Sequence, residues 1–108
     1  MKLTGEEITK GLAILGVTAE DFLLIRAASN YSEACRALDS VKEKAKKGYR
    51  QSALSLHPDK AAGDETLFRV VRQVYERIED LEVHEVRRTR RRRSVISLFG
   101  GLINVEVR

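Results

Sequence analysis

The chain has 108 residues, of which 43% are hydrophobic and 33% charged, and it carries a net charge of +4 with a pI near 9.5. That is enough for one domain with one modest core, with too much charge for a membrane protein and too much apolar content for full disorder. The apolar runs are too short to span a bilayer, "MKLTGEEITK" lacks the apolar stretch of a signal peptide, and Cys35 stands alone, so the expectation is a cytoplasmic protein without an intrachain disulfide or a cysteine-cluster zinc site.

Helical signals dominate in chain order. Thr4 before "GEE" reads as an N-cap with acids in the first turn, Ile8, Leu12 and Leu15 recur at helical spacing, and Gly16 offers a left-handed stop. Thr18 before "AED" repeats the start signal, and Phe22, Leu23 and Ile25 give an apolar face to about Ala28. A third run is expected from near Asn30 to Asp39, and Ser40 offers a further start for a helix reaching about Leu56. In 40–56 the apolar set is Val41, Ala45, Tyr49, Ala53, Leu54 and Leu56, with Lys42, Lys46, Lys47 and Arg50 largely on the opposite side. Pro58, the chain's single proline, forbids further helix, "AAGDE" reads as loop, and Asp64 can cap a helix from Glu65 to Leu81 or beyond. Leu67, Phe68, Val71, Val74, Tyr75 and Ile78 form its apolar side. The run 87–93 has arginine at nearly every position and no apolar stripe. Beyond it, two β-favouring runs flank Gly100-Gly101, which predicts a short β-hairpin. The expected fold is therefore all-α. It is divided into a helical cap (1–39), a helical-hairpin core (40–86), and a separable basic arm with an apolar hairpin tail (87–108).

The stretch "KKGYRQSALSLHPDK" (46–60) is followed by Phe68, Val71, Val74, Tyr75, Ile78 and Asp80. It resembles the J-domain of DnaJ-type co-chaperones, whose pattern runs K-K-A-Y-R-K-L-A-L-K-Y-H-P-D-K, then a loop, then F-x-x-I-x-x-A-Y-x-x-L-x-D. The resemblance covers residues 40–80. It implies two antiparallel helices with the triplet His57-Pro58-Asp59 between their ends. It also implies that this triplet and the preceding positive face engage a heat-shock-70 (DnaK-type) chaperone and speed its ATP hydrolysis. The implied contact residues are Lys42, Lys46, Lys47, Arg50, His57, Pro58, Asp59 and Lys60. The lysines and Arg50 suit an acidic surface and set encounter rate more than affinity. Asp59 suits a charge-assisted contact with a partner arginine. Pro58 fixes the loop and lowers the ordering cost of binding.

Three departures from the pattern stand out. Gly48 replaces a helix-favouring alanine, at a cost of about 1 kcal/mol. Ser52 stands where an apolar residue packs between the helices, and Ser55 where a lysine is common. Upstream, "ACRALDS" (34–40) comes too close to Tyr49 for the first-helix stretch of the family, and "LAILGVT" (12–18) matches better in letters but lies too far, so either the first helix is remodelled or an insertion of extra helix separates it; a remodelled helical cap over residues 4–39 is the favoured expectation.

Other classes of function compete with this one. Arg87, Arg88, Arg90, Arg91, Arg92 and Arg93, with "KEKAKK", give a nucleic-acid-binding reading based on phosphate contacts, or an acidic-protein contact, although no aromatics interleave for base stacking. A J-like scaffold serving assembly is a third reading, in which the tail hairpin self-associates or meets a partner through its edges. His57, His84 and Asp59 make a poor metal set, and the chain holds no glycine-rich phosphate loop, nucleophile elbow or triad. A non-enzymatic protein without cofactor or metal is expected.

Overall fold

The computed structural model describes residues 3–56, 65–88 and 98–99, with the side chains of Leu56 and Arg88 left aside. Every element among them is helical: α1 (Gly5–Leu15), α2 (Ala19–Ala27), α3 (Tyr31–Leu56), α4 (Glu65–Asp80) and α5 (Val83–Arg88), with a short helical turn at Leu98 and Phe99. None of the described helices is long and apolar enough to cross a membrane.

The start signals act as the sequence requires. Thr4 Oγ1 accepts from the Glu7 N–H at 3.1 Å while the Thr4 N–H donates to Glu7 Oε1 at 2.9 Å. Thr18 and Asp21 repeat this reciprocal cap on α2. Each pair satisfies two backbone donors that a helix end leaves open. Gly16 stops α1 in the left-handed region at φ 81°. At the start of α3, Asn30 Oδ1 accepts from the Glu33 N–H at 2.9 Å.

Two expectations about α3 change. The helix runs unbroken through Asp39 and Ser40, so no boundary separates a cap from a hairpin there. Its buried line, Ala34, Leu38, Val41 and Ala45, continues across that point, and both polar residues are exposed. Leu54, expected beside Ala53 on the buried stripe, is 69% exposed. An α-helix turns about 100° per residue, so Leu54, thirteen positions after Val41, lies about 140° around the helix from it. The true inward line closes on Gly48 and Ser52, and Leu54 faces away from it.

α3 and α4 are antiparallel: Lys42 meets Glu79, whereas Tyr49, further along α3, meets Tyr75 and then Phe68. The Tyr49 ring stacks on Tyr75 (centroids 4.5 Å apart, 6° between planes) and on Phe68 (6.0 Å, 19°). Such ring pairs add about 0.5–1.5 kcal/mol beyond area burial. Helix α1 lies against both arms of this hairpin, and α2 packs on α3 and α5. One continuous core results, in which Ile8 and Leu15 of α1 and Phe22 and Ile25 of α2 pack with Val41, Val71, Val74 and Ile78. Residues 3–39 therefore share the hairpin's core.

The glycine at 48 has a structural reason. A Cβ there would lie 2.2 Å from the Leu15 carbonyl oxygen, because the end of α1 crosses α3 at this point. The stretch "LAILG" thus reaches α3 one residue before Tyr49 despite its distance in sequence, with α2 and the first half of α3 occupying the intervening chain.

The tail departs from its expected separateness at the two residues described. Leu98 and Phe99 form a helical turn, not strand, and both are buried. Phe99 meets Phe22 edge to face, with centroids 6.4 Å apart. Arg77 fastens the turn, donating from Nε to the Leu98 carbonyl at 2.9 Å while its Nη2 reaches Glu85 at 3.1 Å. The rest of the predicted β-hairpin lies outside the described residues.

Candidate functional site

The candidate face is built on the second half of α3. Lys47, Arg50 and Leu54 are three and four residues apart and share one helix surface, with Lys46 beside them. All four are exposed. Lys46, Lys47 and Arg50, with Ser40, Glu43 and Lys44, line an open depression of about 400 Å³. Tyr49 anchors this surface from behind through its ring stack, so the cations project from a fixed segment. Next to Tyr49, burial and then the Glu79 carboxylate raise the Tyr75 phenol above its ordinary pKa, which keeps that hydroxyl neutral.

The basic residues of α3 divide into two groups. Lys42 is half-buried, and its Nζ donates to the Glu79 carbonyl at 3.0 Å, capping the last turn of α4. Lys44 pairs with Asp21 at 2.8 Å and ties α3 to α2. Burial pushes the Asp21 carboxyl up, but the Lys44 hydrogen bond, the Thr18 N–H and the Lys44 charge outweigh it and leave the pKa lowered. Lys42, expected on the docking face, is thus turned to an internal task. Lys46, Lys47 and Arg50 stay together on the outside.

Ser52 occupies the inter-helix line at 5% exposure, and its hydroxyl donates to the Tyr49 carbonyl at 2.9 Å, so its polar atom is satisfied without water. Ser55 is exposed and donates to the Gln51 carbonyl. His57, Pro58, Asp59 and Lys60 lie outside the described residues, immediately past the end of α3 at Leu56. Of the arginine run, Arg87 directs Nη2 to the Ala28 carbonyl at 3.2 Å, at the end of α2, and Arg88 closes α5. Arg90, Arg91, Arg92 and Arg93 lie outside the described residues.

Sequence reasoning expected helix to Leu81 or beyond but did not find α5 as a separate helix, and it missed the exposure of Leu54. The first was signalled by Val83 and Val86, three apart, with Glu85 in the first turn; the Glu82 N–H donates to Glu85 Oε1 at 3.0 Å. The second follows from the angle of about 140° between Leu54 and Val41 around the helix. Comparison with protein-family models, curated proteins and solved structures finds no match to this chain.

Proposed function

We propose that this protein is a J-domain co-chaperone: it binds a heat-shock-70 (DnaK-type) chaperone through the outer face of α3 and the His57-Pro58-Asp59 triplet, and it stimulates that chaperone's ATP hydrolysis. The observation that carries the reading is the antiparallel α3–α4 pair. Its Tyr49–Phe68–Tyr75 stack holds Lys46, Lys47 and Arg50 on one exposed strip of the helix that the triplet follows in sequence. These three cations supply steering toward an acidic surface. Leu54, exposed among them, supplies an apolar contact that charge alone lacks. Asp59 accepts from a partner cation, and Pro58 limits the order lost on docking.

The nucleic-acid reading has less support, since the first arginine of its run, Arg87, is bonded to the protein's own α2. The test of the proposal is single-turnover ATP hydrolysis by a DnaK-type chaperone. Added protein is expected to accelerate it, and Asp59→Asn to remove the acceleration while helix content by circular dichroism stays unchanged.

A further inference from the structure

On the flank of α3 next to the basic strip, a trough follows the seam with α1 toward the start of α4. Its larger section, about 370 Å³, is walled by Ile14 and Leu67 and floored by Gly48 and Ser52. That volume falls within the range of about 300–1,000 Å³ typical of ligand clefts. A second section, about 230 Å³, shares Ile14, Gly48 and Gln51 with the first and extends past Leu15 and Gly16 to Lys44 and Lys47. The two are ends of one trough. The floor carries little side chain, because the close crossing of α1 at Gly48 leaves none there and Ser52 directs its side-chain oxygen into its own helix. One end is apolar and the other cationic, and among the described residues no acid lines either. Lys44 already meets Asp21, so Lys47 is the cation this end offers to a visitor.

From these features we infer that the trough is a docking groove for a short extended peptide segment of a partner protein, carrying acidic residues at one end and apolar side chains at the other. Length supports a peptide. From Lys44 to Ser55 the helix advances about 16 Å at 1.5 Å per residue, which is the span of about five extended residues at 3.3 Å each. Chemistry sets the polarity. The acids lie toward Lys47, an apolar side chain seats between Ile14 and Leu67, and the exposed Gln51 amide is placed to bond the peptide backbone as both donor and acceptor. The trough shares Lys47 with the chaperone face, but Ile14, Gly48, Gln51, Ser52 and Leu67 lie on another flank, and the inference does not depend on that reading.

The experiment is an amide chemical-shift titration of the full-length ¹⁵N-labelled protein with acetyl-Glu-Glu-Leu-Phe-Leu-amide. Its control is the same peptide with both glutamates replaced by lysine. Saturable shifts are expected at Ile14, Gly48, Gln51 and Ser55, with at least tenfold weaker binding of the lysine peptide. Gln51→Trp, at an exposed position, fills the trough and is expected to abolish the shifts; Lys47→Glu, also exposed, is expected to reverse the preference between the two peptides. Shifts confined to the exposed Leu23 and Leu24 of α2, equal binding of both peptides, or no shifts at millimolar peptide would each overturn the inference.

Discussion

The two halves of α3 are one continuous helix with opposite assignments. In the first half, Ala34, Leu38, Val41 and Ala45 are buried, and Lys42 and Lys44 are bonded to α4 and α2. In the second half the inward line is Gly48 and Ser52, a bare backbone and a small polar side chain, while Lys46, Lys47, Arg50 and Leu54 face outward. The first half is tied to α2 and α4 through its lysines. The second half packs through the α1 crossing at Gly48, the Tyr49 ring and Ser52, and it leaves its charge and one leucine exposed. Amphipathicity alone does not separate structure from recognition; what separates them is whether the cations have internal partners.

The sharpest test is the same truncation made in each half. Leu38→Ala removes a side chain that is 4% exposed and is expected to cost about 2–5 kcal/mol in urea unfolding. Leu54→Ala is expected to change stability by about 0.5 kcal/mol or less, because that side chain is already in solvent, and to weaken chaperone binding instead. Equal stability losses would erase the distinction between the halves. Next in size is Gly48→Ala. Helix propensity alone favours the substitution by about 1 kcal/mol, but the new methyl would enter the Leu15 backbone, and overpacking of this kind costs about 1–3 kcal/mol. A net loss in the unfolding free energy is expected, and a stabilised variant would mean that α1 does not cross so closely.

The lysines give a smaller, two-sided comparison. Lys42→Ala removes the cap on the Glu79 carbonyl and is expected to lower stability by about 0.5–1 kcal/mol with little change in association rate. Lys46→Glu with Lys47→Glu is expected to leave stability near unchanged but slow association with the chaperone, and added salt should mimic that loss. Stopped-flow association across a salt series separates the two outcomes. The smallest effect is acid sensitivity. The Arg77 hydrogen bond, the Glu82 N–H and the Arg77 charge lower the Glu85 pKa, and Asp21 is lowered as well. A carboxyl whose folded pKa lies below its unfolded value adds stability above the unfolded pKa and loses it as pH falls through the folded one. A modest fall in the thermal midpoint is expected below the ordinary carboxylate range, and it should be reduced in Glu85→Gln.

Much of the fold is legible because capping is local. Thr4 with Glu7, Thr18 with Asp21 and Gly16 each act within one turn, so the sequence places the starts of α1 and α2 and the end of α1 well. The α3–α4 pairing is legible because Tyr49, Phe68 and Tyr75 carry both period and size. What escaped depends on distant partners. Gly48 reads as a weak helix residue until α1 is seen crossing it, and Lys42 reads as surface charge until Glu79 is beside it. Ser40 reads as a start although the apolar line runs past it. Phe99 reads as part of a loose tail because nothing near it in sequence announces Phe22. Of the proposed face, Lys46, Lys47 and Arg50 were legible as charge, and Leu54 was hidden because its neighbour Ala53 continues the apolar spacing while Leu54 itself lies about 100° further round the helix.

The most direct measurement is single-turnover ATP hydrolysis by a DnaK-type chaperone in the presence of the wild-type protein, Asp59→Asn, Lys46→Glu with Lys47→Glu, and Lys42→Ala. Acceleration is expected from wild type and, at matched folded concentration, from Lys42→Ala, with loss in Asp59→Asn and salt-like weakening in the double reversal. No acceleration by wild type, or full acceleration by Asp59→Asn, would contradict the proposed function.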